Sequence, residues 1–332
     1  MNKIKIAVIG TGLIGSLHAE TFFKNPSSEL IAVCDIDKEK VNKVANKFKC
    51  KSYYEFESLI NSEKLDAISI ATPEQIRIEP AVLAMEKGLQ ILLEKPLGRN
   101  LEEIKNLVSK LKNHNKLISV NFILHEDPRY KLMKEKIKNK EIGEIVSCYA
   151  RRRGNRLGIE IYAPWTDLIS STLIHDIQMA MSINNSKPIR VYTEAVVREC
   201  AKYNSHDAVM SLLKFDDGSI ASFETSWVVP KNQPEPLDPA FHVIGDKGSI
   251  IIEGSSMGMQ IQTDKSYLKP DIANWPIIDS KVEGCLKRNL DKFIEDCIYQ
   301  TSPEVDLMKA FEVEKIVFAM KKSIDENRPI NL

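Results

Sequence analysis

Glu94 and Lys95 have side chains that could carry out proton transfer. They follow three apolar residues within Gln90–Leu97 (QILLEKPL), and such a run is typical of a strand buried on both faces of a parallel sheet. Pro96 cannot donate to a strand ladder, so the strand should end at the charged pair. Open α/β sheets bind ligands at that edge, where a partly desolvated lysine can exchange protons with a substrate. The alternative is that both residues simply begin a polar loop.

A glycine-rich segment near the N-terminus could bind a dinucleotide. Gly10–Gly15 (GTGLIG) follows the apolar strand Lys3–Ile9, and Asp35 ends a second strand, Leu30–Cys34. Pyrophosphate must approach the backbone closely at a helix N-terminus, and Asp35 would accept hydrogen bonds from the adenosine ribose. Because its charge would repel a 2′-phosphate, NAD is favoured over NADP. A plain glycine turn with a capping aspartate is the alternative. The predicted cofactor contacts in these segments are Gly10, Gly12, Leu13, Ile14, Gly15 and Asp35.

The elements that would position these residues alternate between strand and helix. A helix is predicted at Lys38–Phe48, a strand at Ala67–Ala71 ending in Thr72, and a further strand at Leu117–Asn121. This alternation, with short connections, favours a doubly wound parallel sheet over residues 1–121, the predicted dinucleotide-binding domain. The strand ends at the glycine segment, Thr72 and Lys95 would then converge on one cofactor.

Composition sets the class of protein. At 332 residues the chain is long enough for two domains, and 46 basic residues balance 46 acidic ones, so the charge does not suggest nucleic acid. Apolar stretches stay well short of a membrane span, and a strand pattern within the first residues leaves no room for a signal peptide. Six scattered cysteines signal neither a disulfide framework nor a metal site. We therefore expect a cytoplasmic protein without metal.

The pattern changes after Asn121. Strand-like stretches follow one another, among them Ala208–Phe215 and Met257–Thr263. Hairpin-type turns at Asp216–Ser219 and Gly245–Gly248 join some of them, so neighbouring strands should be antiparallel. Two apolar-striped helices end the chain. The sequence predicts that residues 122–332 form a second, α+β domain with an open, mainly antiparallel sheet.

A predicted helix at about Leu168–Asn184 carries a polar stripe. At 100° per residue, Ser171, His175 and Gln178 share one side, opposite apolar residues that must pack into the core. Such a stripe is usually the solvent face of an amphipathic helix. The alternative is a site built around His175.

Charged and aromatic residues precede this helix. Alternation along the strand beginning at Glu144 sends Arg151 and Arg153 to one face and Arg152 to the other. These arginines either form a solvated charge run, or one or two of them, including Arg153, bind an anionic group of a substrate. Tyr162 and Trp165 either stack on sugar C–H faces or pack internally.

Several of these segments together resemble the glucose–fructose oxidoreductase / inositol dehydrogenase / MocA (Gfo/Idh/MocA) family of NAD(P)-dependent oxidoreductases. The likeness covers nearly the whole chain and is carried by AVIGTGLIG, VCDID, ATP, EKPLGRN, KNKEIGEIVS, TLIHDI and HVIGDKGSIIIE. The resemblance implies that Lys95 is catalytic and touches substrate and nicotinamide. It also implies that Thr72, Glu94 and Asn121 line the nicotinamide pocket, and that His175 is the general base.

Two departures from the family pattern stand out. After Thr72 and Pro73, this chain has Glu74–Arg77, where many members have Asn and His. The difference affects the expected detailed contacts with the cofactor. Many members also place an aspartate one helical turn before the histidine, where this chain has Ser171. A hydroxyl can orient an imidazole but supplies no charge. Either Lys95 carries more of the proton transfer, or catalysis is weak, or another residue supplies the carboxylate.

We interpret the chain as an NAD-dependent dehydrogenase acting on a secondary alcohol of a sugar, cyclitol or sugar derivative, including anionic or nucleotide-linked ones. The alternatives are a non-catalytic sugar- or NAD-sensing protein, and an epimerase or glycosidase that uses NAD transiently. By resemblance, the exposed sheet face should make a homodimer or homotetramer. The predicted substrate contacts are Lys95, Arg153, Tyr162, Trp165, Ser171 and His175, of which Lys95 and His175 are the predicted catalytic residues.

Overall fold

The computed structural model describes residues 3–332, which fall into two compact units. The first unit contains the chain up to Phe122 together with Ile277–Phe311, and the second contains Ile123–Pro276 with Glu312–Leu332. Each unit is therefore assembled from two separate stretches of sequence. The predicted functional division into residues 1–121 and 122–332 stays a prediction.

Strands and helices alternate early in the chain, whereas strands dominate its middle. Along residues 3–332 the strands are, in chain order, β1 (Ile4–Ile9), β2 (Ser28–Cys34), β3 (Lys51–Tyr53), β4 (Ala67–Ile70), β5 (Gln90–Leu93), β6 (Ile118–Val120), β7 (Ile145–Asn155), β8 (Pro188–Val196), β9 (Ala208–Phe215), β10 (Ile220–Val229), β11 (Leu237–Gly245), β12 (Ser249–Glu253), β13 (Ile261–Gln262), β14 (Tyr267–Leu268), β15 (Ile277–Ile278), β16 (Lys281–Val282) and β17 (Ile330–Asn331). The α-helices of the same residues are α1 (Leu13–Lys24), α2 (Lys38–Phe48), α3 (Phe56–Ser62), α4 (Ile78–Glu86), α5 (Leu101–Leu111), α6 (Pro128–Lys138), α7 (Leu157–Tyr162), α8 (Ile174–Ile183), α9 (Gly284–Tyr299) and α10 (Leu307–Glu326).

The first unit is built on a parallel sheet. Its strand order is β3-β2-β1-β4-β5-β6, and every neighbouring pair is parallel. Strands β4 and β5 are buried along their whole length, as expected for strands covered by helices on both faces. The order changes direction between β1 and β4, where doubly wound sheets form their ligand crevice. The predicted doubly wound sheet is confirmed.

Helices of the first unit are fixed by capping side chains and by buried apolar stripes. The side chain of Asp37 caps α2 by accepting a hydrogen bond from the backbone N–H of Lys40. Late in the sequence, α9 buries an apolar stripe that includes Leu286, Leu290 and Phe293, and it packs on α1 and β1. This stripe was predicted, and the structure adds that it completes the first unit.

The second unit contains a mixed, mainly antiparallel sheet, as predicted. Its order is β12-β11-β7-β10-β9-β8-β17, and β7 and β10 form the parallel pair. Burial alternates along β7, so that Cys148, Ala150 and Arg152 face inward. Helix α8 packs on β7 and β10, which leaves the opposite sheet face without a helix among residues 123–276 and 312–332.

Two predicted elements differ from the structure. Strand-like residues 257–263 form only the short β13, because Met257 and Gly258 adopt positive φ angles that interrupt extended backbone. The helix predicted at Leu168–Asn184 begins instead with a π-helical turn, Ile169–Leu173, followed by α8. A wheel drawn at 100° per residue therefore misplaces the residues of this turn.

Candidate active site

The glycine loop between β1 and α1 forms a backbone cradle. A methyl group placed on Gly10 would lie 2.6 Å from the carbonyl oxygen of Ala71, and one on Gly15 would lie 1.9 Å from that of Gly10. At Gly12 it would meet nothing within 4 Å among the residues that the structure describes. The first turn of α1, Leu13–Gly15, is uncharged, and its free N–H groups suit an anion. The loop therefore fits the pyrophosphate of a dinucleotide.

Asp35 lies beside this loop, at the end of β2. Its Oδ2 accepts hydrogen bonds from the backbone N–H of Thr11 at 2.7 Å and from the Thr11 hydroxyl at 3.0 Å. Its Oδ1 accepts the N–H of Asp37 at 3.0 Å. These bonds fix the carboxylate next to the glycine loop, where ribose hydroxyls could donate to it.

Thr72 follows β4 and is buried. Its carbonyl oxygen accepts a hydrogen bond from the guanidinium of Arg77, a residue that is only 3% exposed. Arg77 belongs to the segment that departs from the family pattern, and sequence reasoning gave it no role. Its position in a polar loop carried no sign of burial, yet it holds the backbone at the end of β4.

Glu94 and Lys95 end β5 as predicted, but their surroundings differ. Lys95 is half-buried, whereas Glu94 is only 8% exposed and points inward. The Nε2 atom of His18 lies 3.2 Å from Oε1 of Glu94, and the same oxygen accepts a hydrogen bond from the side-chain amide of Asn121. Oε2 accepts the backbone N–H of Lys95 at 3.2 Å. The polar-loop alternative therefore does not describe Glu94.

Buried polar partners surround this carboxylate. The Oδ1 atom of Asn121 accepts a hydrogen bond from Asn289 of α9 at 2.5 Å. Burial opposes ionisation of Glu94, but its contacts with His18, Lys95 and Asn121 outweigh that effect, so the pKa of Glu94 lies below its ordinary value. The end of β5 therefore carries a fixed negative charge directly beside Lys95.

His18 and Asn289 were missed by the sequence reasoning. His18 is fully buried on α1, and Asn289 lies on α9, far along the chain from the site. A signal for His18 exists, since it precedes the buried Phe22 by four residues and so shares the core-facing side of the helix. Asn289 offered no such signal.

In the second unit, the segment that carries Ser171 and His175 is anchored at its start. Asp167 accepts the N–H groups of Ile169 and Ser170 at 2.9 and 3.0 Å. Its carboxylate also lies 2.6 Å from the ammonium of Lys321 on α10. Burial opposes the charge on Asp167, but this ion pair and the N–H groups outweigh it, so the pKa of Asp167 is lowered. The hydroxyl of Ser171 contacts that of Thr172 at 3.1 Å.

Neighbours of His175 on α8 are buried rather than solvated. Asp176 is fully buried and forms a two-point ion pair with Arg152, at 2.8 and 2.9 Å. Gln178 is 4% exposed, and its Oε1 lies 2.6 Å from Nε2 of His125. The solvent-face alternative for this helix is therefore wrong at Gln178. His175 itself is half-buried.

The arginines of β7 contact carboxylates of their own unit. Arg153 contacts Asp238 and Glu224, while Arg151 contacts Asp238 and Glu253. Both lie on the sheet face opposite α8, so the second unit does not bring Arg153 together with His175. A substrate contact by Arg153 stays a prediction, which this location does not favour.

Tyr162 and Trp165 lie at the surface of the second unit. Tyr162 is 41% exposed and packs at a tilt against Trp227, with ring centroids 6.4 Å apart. Trp165 is 63% exposed. Exposed aromatic rings suit stacking on a ligand, and that role stays a prediction.

These features define a class of protein. A parallel sheet with a glycine cradle, an acid at the next strand end and a lysine beside a buried carboxylate is the arrangement of a dinucleotide-dependent oxidoreductase. Within residues 3–332, no helix combines the length and apolarity needed to cross a membrane, and no group of three acidic, histidine or cysteine side chains could hold a metal.

Comparison with known proteins identifies the family. Residues 4–122 match the oxidoreductase family with an NAD-binding Rossmann fold, and residues 130–251 match the GFO/IDH/MocA C-terminal domain. The chain belongs to the Gfo/Idh/MocA family of oxidoreductases, and its cofactor is NAD.

Similar proteins include inositol dehydrogenases. The chain is 22% identical over 334 residues to myo-inositol 2-dehydrogenase of Thermotoga maritima, covering 99% of this chain and 98% of that one. The crystal structure of myo-inositol 2-dehydrogenase from Lactobacillus plantarum superposes with a TM-score of 0.88 at 21% identity, covering both chains fully. Scyllo-inositol dehydrogenase from Lactobacillus casei, solved with NAD(H) and scyllo-inositol, gives 0.87 at 16% identity over 99% of each chain.

Proposed function

We propose that the protein oxidises a secondary alcohol of a cyclitol or an uncharged sugar, with Lys95 and His175 as its catalytic residues. The observation that carries the proposal is the placement of Lys95 at the end of β5, beside the buried carboxylate of Glu94 and on the same sheet edge as the glycine loop and Asp35. The family and the inositol dehydrogenases among its similar proteins support the same reaction class.

The residues divide the work of binding and proton transfer. The glycine loop holds the pyrophosphate, and Asp35 accepts hydrogen bonds from the adenosine ribose. When bound, NAD supplies the acceptor for the hydride that leaves the substrate carbon. The ammonium of Lys95 donates a hydrogen bond to the reacting oxygen and stabilises its developing charge. The imidazole of His175 takes the hydroxyl proton, which it can do only while unprotonated.

An uncharged substrate fits the charges of the second unit. Arg151, Arg152, Arg153 and Arg156 each form an ion pair with a carboxylate of that unit. An anionic or nucleotide-linked sugar would have to compete with those carboxylates for the guanidinium groups. Polyol hydroxyls need no such countercharge, and the exposed rings of Tyr162 and Trp165 suit their C–H faces.

The test is a panel of polyols, sugars, sugar acids and nucleotide sugars incubated with purified protein and NAD. We expect NADH absorbance to rise with cyclitols such as myo-inositol and scyllo-inositol, and not with sugar acids. Product without net NADH would indicate transient use of NAD. Binding of NAD and polyol without any product would indicate a sensor, the reading that Ser171 suggests. Either result would contradict the proposal.

We also propose that a second copy of the chain covers the open face of the second unit's sheet. Strand pairing places exposed apolar side chains on this one face. They are Met210, Leu212, Ile220, Ile244 and Ile251. Several large apolar side chains exposed on one sheet face, beside the ion-paired Arg151 and Arg153, mark an interaction surface. Sedimentation equilibrium should give the molecular mass of a dimer or tetramer for the wild type, and Ile251→Lys should shift the equilibrium toward monomer. A wild-type protein that is monomeric at every concentration would refute this assignment.

A further inference from the structure

His18 connects the core of the first unit to the residue that precedes Lys95. Its ring is fully buried between two strand ends, with Nδ1 2.8 Å from the hydroxyl of Ser69 on β4 and Nε2 3.2 Å from the carboxylate of Glu94. Both ring nitrogens are therefore engaged, and the ring orientation is set from two sides. The titratable groups that face Glu94 are His18, from α1, and Lys95, from its own loop.

The two oxygens of Glu94 have different partners. Oε1 receives the contacts from His18 and Asn121, which hold the side chain inward. Oε2 receives the backbone N–H of Lys95, so the same carboxylate fixes the main chain from which the lysine projects. Turning or protonating Glu94 would release that main chain, and a reacting group displaced by about 1 Å can lose on the order of a hundredfold in rate.

We propose that His18 is a positioning residue for the dehydrogenase reaction, holding the Glu94 carboxylate in the orientation that places Lys95 at the reacting oxygen. The inference rests on the proposed role of Lys95. It goes beyond a packing contact, because the oxygen opposite His18 bonds the backbone of the reacting residue rather than another core group. Removing the imidazole would therefore alter turnover more than cofactor binding, which depends on the glycine loop and Asp35.

The experiment compares His18→Gln, Glu94→Gln and the double variant, each with NAD and myo-inositol, or scyllo-inositol if that is turned over faster. Glutamine at position 18 keeps an N–H donor but cannot contact Glu94 and Ser69 at the same time, as the imidazole does. We expect each single variant to lower kcat by about a hundredfold. The NAD dissociation constant, measured by calorimetry, should stay close to the wild-type value. The double variant should be no slower than the slower single variant, because both changes break one connection.

Controls separate this role from general destabilisation. Thr21→Val changes another buried polar residue of α1, whose hydroxyl bonds the carbonyl of Leu17, and should keep wild-type kcat. If His18→Gln folds poorly, Glu94→Gln still tests the carboxylate. Wild-type kcat in either glutamine variant, or NAD binding lost in parallel with kcat, would overturn the inference. Lys95→Met distinguishes the two proposals: if it retains turnover, the proposed function fails, whereas an inactive Lys95→Met beside an active His18→Gln defeats the inference alone.

Discussion

The ion pair between Arg152 and Asp176 allows a quantitative test of how the His175 helix is held on the sheet. The guanidinium and carboxylate meet at 2.8 and 2.9 Å, and their side chains are 5% and 0% exposed. Removing one partner of such a pair leaves an uncompensated buried charge, which costs about 3–5 kcal/mol. We therefore expect Arg152→Met to lower the free energy of unfolding by about 4 kcal/mol.

The chain offers a matched control on the same segment. Arg156 pairs with Glu199 at 3.1 Å, but their side chains are 45% and 50% exposed. Solvent screens such a pair, so Arg156→Met should cost about 1 kcal/mol or less. Replacing both buried partners, as Arg152→Met with Asp176→Leu, should recover part of the loss because no charge remains stranded.

Urea titration followed by circular dichroism measures five proteins, the fifth being Asp176→Leu alone, with the slope of each transition checked for equality. In a thermal scan, the buried variant should unfold about 10 °C below the wild type. Equal destabilisation by Arg152→Met and Arg156→Met would refute the reasoning, because burial would then make no difference. A double variant as unstable as the sum of its single changes would show that the two residues act independently.

The remaining predictions concern the cofactor, the base and the start of the His175 segment. Asp35→Ser should weaken the binding of NAD and allow NADP to be used, as measured by kcat/KM with each cofactor. If the preference for NAD over NADP were unchanged, the Asp35 carboxylate would not determine the choice of cofactor. His175→Gln should flatten the acidic side of the pH–rate profile, since glutamine has no proton to lose, and an unaltered profile would remove His175 as the base. Ser171→Asp should move that acidic limb to higher pH by favouring the imidazolium; a limb that stays in place would mean that the two side chains do not interact. Because the pKa of Asp167 is lowered, its ion pair stabilises the fold above the unfolded pKa of about 4, and this contribution is lost as pH falls through the folded value. Lys321→Met should therefore cost about 1 kcal/mol at neutral pH and much less near pH 3, and an equal cost at both would contradict this.

Periodicity predicted much of the fold because burial repeats along regular elements. Helix α2 and strand β9 have the predicted limits, since each has a sharp apolar pattern bounded by turn residues. Strand β3 was missed because its three residues, of which none is buried, carry no apolar pattern. The apolar stripe of α9 predicted that the helix packs, but a stripe does not specify its partner. Its return to the first unit is set by tertiary structure.

The candidate site was predictable where spacing along the chain dictates geometry. Gly10–Gly15 and Asp35 fall within one β-α-β unit, so their distance in sequence fixes their distance in space. The partners of Glu94 lie on other elements. His18 comes from α1, and Asn121 is in turn contacted by Asn289 of α9. No local sequence pattern relates such residues. The π-helical turn at Ile169–Leu173 was not predicted either, because the apolar pattern was interpreted with the period of an α-helix.

The acidic residues around His175 show how this chain uses charge in the second unit. Asp167 caps the segment and pairs with Lys321, and Asp176 pairs with Arg152 on the sheet. Both carboxylates are thus committed to holding the helix, one at its start and one on its inner face. Ser171 contributes a hydroxyl that contacts Thr172. The helix that carries His175 is therefore fixed by two ion pairs, while the buried carboxylate of Glu94 lies beside Lys95. With the proposed roles of Lys95 and His175, we therefore expect changes at Glu94 to affect turnover more than changes at Ser171.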